Sequence, residues 1–129
     1  MSHILISDPT LRDGNHAISH QMSEEQIATY CRMADEAGVP IIEVGHGNGI
    51  GASSLQLGEA KTIDHIVLAT ARENLKKSLL GIHVIPGFAT IEKDLKPAID
   101  AGVDVIVSGS YLMSAADRAE AVKALRGVV

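Results

Sequence analysis

Aromatic residues are nearly missing from this sequence: Tyr30, Phe88 and Tyr111 are the only three, and tryptophan is absent. Nucleic-acid modules that stack bases need aromatic platforms, and a net charge of -5 works against binding a phosphate backbone. No nucleic-acid partner is expected. Cysteine is equally scarce. Cys31 stands alone, which excludes an intrachain disulfide and any cysteine-rich metal site. No apolar run approaches the ~20 residues needed to span a bilayer, and no secretory signal pattern is present. The expectation is therefore no membrane partner and a cytoplasmic setting. With so few rings available, the core has to be built from Ile, Val, Leu and Ala, which suits buried parallel strands.

What is present fits one globular domain, residues 1–129, large enough to bury a core. The apolar run Ile4-Leu5-Ile6 predicts a first strand over about Ile4–Ser7. It leads into Ser7-Asp8-Pro9-Thr10-Leu11-Arg12-Asp13-Gly14-Asn15-His16, which sets an arginine, a carboxylate and an imidazole past a strand's carboxyl end. In βα proteins, side chains at those ends converge on one mouth. Ser23-Glu24-Glu25-Gln26 has the form of a capping box. Apolar or semi-apolar residues follow it at Ile27, Tyr30, Cys31 and Ala34 with helical spacing, and Gly38 closes the helix.

Pro40–Val44 reads as strand two, ending in the loop His46-Gly47-Asn48-Gly49-Ile50-Gly51, whose glycine spacing does not fit a dinucleotide fingerprint. Residues Ala52–Lys61 read as a long loop, and Ile63–Lys77 as a second helix with Lys76 and Lys77 favouring its negative end. Leu79–Ile85 is strand three. Pro97 would break a helix begun at Thr90, so a turn at Ile91–Lys93 and a short helix capped by Asp94 are expected. Val103–Val107 is strand four, with Ser108-Gly109-Ser110-Tyr111 as its exit. The last helix opens at Ser114–Asp117.

That makes four βα units. Right-handed crossovers make their strands parallel, and four units are half of a (βα)₈ barrel of about 250 residues. A half-barrel leaves two edge strands open, a liability. Pairing two copies into a closed barrel would relieve it, and a homodimer is the expected partner state. An open, flavodoxin-like sheet is the alternative.

Several of these motifs in order resemble the amino-terminal part of the 4-hydroxy-2-oxovalerate aldolases, metal-dependent (βα)₈ aldolases and lyases. They are Asp8-x-Thr10-Leu11-Arg12-Asp13-Gly14-Asn15-His16-Ala17-Ile18, Ile42-Glu43-Val44-Gly45-His46-Gly47, Ile85-Pro86-Gly87 and Asp94-Leu95-Lys96. The resemblance implies that Arg12 stabilises the enolate oxygen of pyruvate, that Asp13 is a ligand of a divalent metal, usually manganese, and that His16 is the general base on the substrate hydroxyl. In that family a His-x-His pair on a later strand completes the metal site. None of the six histidines here forms such a pair.

From about Ala101 the tail instead resembles the last βα unit of ribulose-phosphate 3-epimerases, through Ala101-Gly102-Val103-Asp104-Val105-Ile106-Val107-Ser108-Gly109-Ser110-Tyr111 and Asp117–Arg126. That likeness implies a phosphate site on the backbone of Gly109 and Ser110. It suggests a chimera, aldolase-like over 1–106 and epimerase-like over 107–129.

One carboxylate cannot hold manganese tightly, since such ions want about six ligands. The expectation is accordingly an engineered or chimeric half-barrel scaffold that folds and self-assembles, is not an enzyme and has no certain cofactor. Glu43 is expected to pair with Arg12 as a structural ion pair, and His46 and His83 to be satisfied structural histidines. Two alternatives stay open. One is a residual aldolase, dependent on manganese or another divalent metal, with Arg12 and His16 catalytic and Asp13 on the metal. The other is a phosphate-ester module in which Gly109 and Ser110 hold phosphate or sulfate.

Overall fold

The computed structural model describes residues 3–127; Met1, Ser2, Val128 and Val129 lie outside them. Four parallel strands form one sheet in the order β1 (Ser7–Leu11), β2 (Ile41–Val44), β3 (Leu79–His83), β4 (Val105–Val107). The helices are α1 (Glu24–Glu36), α2 (Asp64–Asn74), α3 (Lys96–Asp100), α4 (Ser110–Met113) and α5 (Arg118–Leu125). A 3-10 turn over Asp13–Ile18 follows β1, and a π turn over Ile91–Leu95 runs straight into α3.

The chain is an open half-barrel. Its strand order is sequential, without the reversal that defines an open doubly wound sheet, so the flavodoxin-like alternative does not apply. Ile42, Val44, Leu80 and Ile82 are buried in one aliphatic core with Ile27 and Cys31 of α1 and Val67, Leu68 and Ala71 of α2. On the other face Ile41, Leu79, His83, Val105 and Val107 stay partly or well exposed, while Glu43 and Gly81 at its centre are buried. That period of two is what a sheet covered on one face demands.

The first strand lies later than the apolar pattern predicts. Ile4, Leu5 and Ile6 are 85%, 68% and 61% exposed, because β2 begins only at Ile41, opposite Ser7. Ile6 still accepts one bond through its carbonyl from the N–H of Ile41 at 3.2 Å. Hydrophobicity alone does not make a strand where no neighbour can pair.

Local signals hold better. Ser23 Oγ accepts from Gln26 N–H at 3.1 Å and Gln26 Oε1 accepts from Ser23 N–H at 2.9 Å, a complete capping box. Gly38 takes φ +84 just after α1. The second helix ends at Asn74, short of the expected Lys77. The carboxylate of Asp35 captures the N–H groups of Lys77 and Ser78 at 2.8 Å each, pulling that segment out of helix. Arg72, donating to the Leu75 carbonyl at 3.0 Å, takes the terminal role expected of the two lysines. Thr90, not Asp94, caps the third helical segment, by accepting from Lys93 N–H, while Asp94 reaches back to Thr90 N–H. No helix among the described residues is long and apolar enough to cross a membrane.

Candidate active site

The opening motif is re-aimed by a bulge. Asp8 pairs with Ile42 and Leu11 with Val44, so β1 spends one more residue than β2 over that interval. The extra residue reverses the alternation. Ser7 and Glu43 share the open face, where Ser7 Oγ donates to Glu43 Oε2 at 2.7 Å. Without the bulge Leu11 would point there too. With it, Leu11 drops into the core at 2% exposure, and Arg12 swings onto the face that carries Glu43.

Arg12 is then fixed on three sides. Its Nε and Nη2 donate to Glu43 Oε1 at 3.3 and 3.2 Å, and its Nη1 donates to the Gly47 carbonyl at 3.2 Å. Asp13 Oδ1 lies 3.6 Å from the same Nη1. The side chains of Arg12 and Glu43 are 17% and 7% exposed, whereas that of Asp13 is 65% exposed. The Arg12–Glu43 ion pair expected from the sequence is present. Asp8 plays a structural part: its Oδ1 accepts from the backbone and hydroxyl of Thr10, and its Oδ2 from Tyr30 OH at 2.5 Å. It ties β1 to α1.

Gly47 is where the site converges. Besides holding Arg12 through its carbonyl, it lies directly under the His16 imidazole. A Cβ on Gly47 would run into Nε2 of that ring and sit 2.6 Å from both Cδ2 and Cε1. His16 itself is exposed at the mouth. Asn15, buried, donates from Nδ2 to the carbonyls of Leu11 at 2.8 Å and Gly45 at 2.9 Å, fastening the ends of β1 and β2 together. Asn15 and Gly47 lie within the quoted motifs, but the sequence assigned neither a role. Only the glycine run after strand two could have hinted at the close approach.

Three histidines gather beside this point. His20 stacks on His46 with ring centroids 3.6 Å apart and planes 8° from parallel, and meets His16 edge-on at 5.0 Å. His46 is 2% exposed, Nδ1 accepting from Asn48 N–H at 3.0 Å and Nε2 lying 2.8 Å from the Gly58 carbonyl. That pair of contacts selects the tautomer protonated on Nε2. His46 is thus the satisfied histidine that was expected. His83 differs: it stands on the open face at the end of β3, and its buried Nδ1 has no partner. Burial holds its protonation below the usual histidine range, helped by the charge of Arg12 and opposed by Glu43 and Asp13.

A divalent metal does not fit the residues present. Asp13 is one exposed carboxylate already beside a guanidinium, and no three His, Cys, Asp or Glu side chains among the described residues come together to hold an ion. Gly109 and Ser110 lie apart from this cluster, at the start of α4, a single turn in which Ser110 gives its carbonyl to the Ser114 N–H and hydroxyl.

A profile of the HMGL-like family matches residues 3–124. The chain belongs to the HMGL-like family. Over 112 aligned residues it is 61% identical to a 4-hydroxy-2-oxovalerate aldolase of Spirochaeta aurantia, covering 87% of this chain and 33% of that protein. Aldolases of the same name from Pectobacterium atrosepticum and Salinispora arenicola are 52% and 53% identical over 112 and 110 residues, or 87% and 85% of this chain and 33% and 32% of theirs. The chain spans about one third of the length of these relatives.

These matches correct the chimera reading. The family profile runs through the supposed seam without a break, and so does the sheet. On both sides of residue 106, β4 keeps one register with β3: Gly81 with Val105, Ile82 with Ile106, His83 with Val107. The reading of an engineered, non-enzymatic scaffold, which rested on the seam and on the absent second half with its metal ligands, falls with it, since the similarity is to aldolases along nearly the whole chain. The phosphate expectation at Gly109 and Ser110 rested on the epimerase likeness of the tail.

Proposed function

We propose that this chain carries the part of a 4-hydroxy-2-oxo acid aldolase site that handles the oxo acid and the hydroxyl proton. The observation that supports the reading is the joint seating of Arg12 and His16 on Gly47. Arg12 spends Nε and Nη2 on Glu43 and Nη1 on the Gly47 carbonyl, so a fixed cation is seated on the same loop as His16, beside the place where charge develops. His16 stands exposed beside it. In a retro-aldol step His16 accepts the proton of the C4 hydroxyl and the C3–C4 bond breaks. The aldehyde departs, and the electron pair remains as the enolate of pyruvate, its oxygen against the Arg12 guanidinium. The proton held on the His16 imidazolium, passed to C3 directly or through water, completes pyruvate and restores the neutral ring. Pre-aimed donors of this kind act without reorganisation in the step, which is why they outweigh other terms.

The test is pyruvate release from 4-hydroxy-2-oxovalerate by the purified chain, with and without added manganese. Loss of a positioned general base lowers such rates by ~10²–10⁴-fold, so His16→Ala and Arg12→Ala should both fall toward the buffer rate. Equal rates in wild type and both variants would overturn the proposal.

We also propose that a second copy of the chain closes the sheet. β1 and β4 each have one neighbour among the described residues, and Ile4, Leu5 and Ile6 lie exposed along the first of these edges. Two copies related by a two-fold axis would pair β4 of each with β1 of the other and leave no open edge. Light scattering should give twice the 13.6 kDa chain mass; a strict monomer at micromolar concentration would sink this reading. The single buried thiol, Cys31, suits the reducing cytosol that we assign to it.

A further inference from the structure

Arg12 and Asn15 are fixed in the mouth by hydrogen bonds, whereas the His16 side chain is not. Arg12 has Glu43 and Gly47, and Asn15 has two carbonyls. His16 is exposed and sits at the mouth on a 3-10 turn. Its ring contacts are the Gly47 backbone below, the edge-on ring of His20 beside it at 5.0 Å and, further off, the edge-on ring of His46 at 6.4 Å. The turn that carries His20 is itself costly. Ser19 and His20 take φ +53 and +61, the left-handed region, in two consecutive residues with side chains. Each such residue is strained and persists where its surroundings impose it.

The surroundings do so in three ways. The carbonyl of His20 accepts from Lys61 N–H at 2.9 Å, and its N–H donates to Asn15 at 2.9 Å. Its ring lies flat on His46, which is pinned by Asn48 and Gly58. The Gly58 backbone, at φ +96, comes close enough that a Cβ there would meet His20 Nδ1 at 3.2 Å. His20 is 5% exposed, and its Nε2 has no hydrogen-bond partner. A polar ring buried with an unsatisfied nitrogen is expensive, so its position has a purpose that hydrogen bonding does not explain. The one ring beyond it is His16.

We propose that His20 is a positioning residue for His16: clamped on the rigid His46–Gly58 platform, its ring fixes the angle at which the His16 imidazole stands over Gly47. A platform of this kind is needed because a misplacement of about 1 Å in a catalytic group lowers turnover by about 10²-fold. The long loop from Ala52 to Lys61 thereby acquires a use: it supplies Gly58 and Lys61, which hold the platform and the turn. The inference rests on the proposed role of His16 as base, yet the placement of the ring can be read without it.

Two substitutions separate ring from turn. His20→Asn keeps a side chain that tolerates the left-handed turn and removes the ring; His20→Phe keeps a ring of similar breadth and removes the nitrogens. The primary readout is the His16 Cε1–Hε1 cross-peak, which the neighbouring ring shifts. His20→Asn should move it away from the wild-type position and His20→Phe should leave it near. In turnover of 4-hydroxy-2-oxovalerate, His20→Asn should lower kcat by about 10- to 100-fold with KM within about threefold, and His20→Phe should recover most of it. An unmoved His16 cross-peak in His20→Asn overturns the proposal, as does equal loss of kcat in both variants, which would make His20 a chemical participant. Should His20→Asn fail to fold, ring-to-ring NOEs between His16 and His20 in the wild type decide, their absence overturning the idea. If wild-type turnover is itself absent, the aldolase reading fails while the cross-peak still answers the question of placement.

Discussion

Replacing Gly47 by alanine should disarm the site while leaving the fold almost untouched. Gly47 does not have a positive φ, so alanine fits the backbone, and the loss of a glycine from the unfolded chain favours folding by ~0.4–1 kcal/mol. Against this, the new methyl would run into Nε2 of His16 and stand 2.6 Å from its Cδ2 and Cε1, where carbon contacts normally begin near ~3.5 Å. The ring has to retreat by roughly 0.9 Å or more. Because His16 is exposed, it can swing into solvent, and the cost is the edge-on contact with His20, worth ~0.5–1.5 kcal/mol. The two terms nearly cancel, so stability by urea unfolding should stay within ~1 kcal/mol of wild type. Turnover should fall about 10²-fold, and the His16 Cε1–Hε1 cross-peak should move. Gly14→Ala is the control on the same 3-10 turn: its Cβ would meet only Thr10 carbons, at 3.6 and 3.9 Å, so the cross-peak should stay. A Gly47→Ala protein with an unmoved His16 signal, or one destabilised by more than ~2 kcal/mol, would refute the reasoning.

Asp35 supplies a pH test. The N–H groups of Ser78 and Lys77 outweigh burial and hold its carboxyl at about 2, below the ordinary 3.8. A depressed folded pKa means stability that is full above the unfolded value and lost as pH falls through the window from about 4 to about 2. The shift corresponds to at most ~2.5 kcal/mol. Asp35→Asn should flatten that part of a urea-midpoint titration, and an unchanged acid limb would count against the clasp. Cys31 is fully buried, with its thiol pushed up to about 11 by burial and, secondarily, by Asp35. It should react with a thiol reagent only as the protein unfolds, so rapid labelling of the native chain would show the α1 core to be looser than this packing. Glu43→Ala strands a largely buried guanidinium and the Ser7 hydroxyl, and should cost ~2–4 kcal/mol in urea unfolding, whereas Glu43→Gln keeps an acceptor and should cost less.

How much of this was legible in the sequence depends on the range over which each feature is decided. The Ser23–Gln26 capping box was readable because both partners lie within one turn and bond as the pattern requires. The parallel half-barrel was readable from repeated βα punctuation, and the Arg12–Glu43 pair from charge complementarity at neighbouring strand ends. The bulge in β1 was not. It is set by which residue of β1 finds Val44 rather than by the residues of β1 alone, so the first strand was placed on the more hydrophobic Ile4–Ile6. The same holds for Gly47 and His20, whose importance comes from loops that meet only after folding. The mistaken seam has a different cause. Val105–Val107 is a three-residue strand preceded by Gly102 at φ +99, and any short buried strand leaving a helix needs such a glycine and β-branched residues after it. A match at that stretch reports the physics of a βα unit, which unrelated barrels share. Arg12, Asp13 and His16 report ancestry more sharply: nothing in strand or helix formation requires an arginine, a carboxylate and an imidazole at that spacing, so the selection they record is for the mouth.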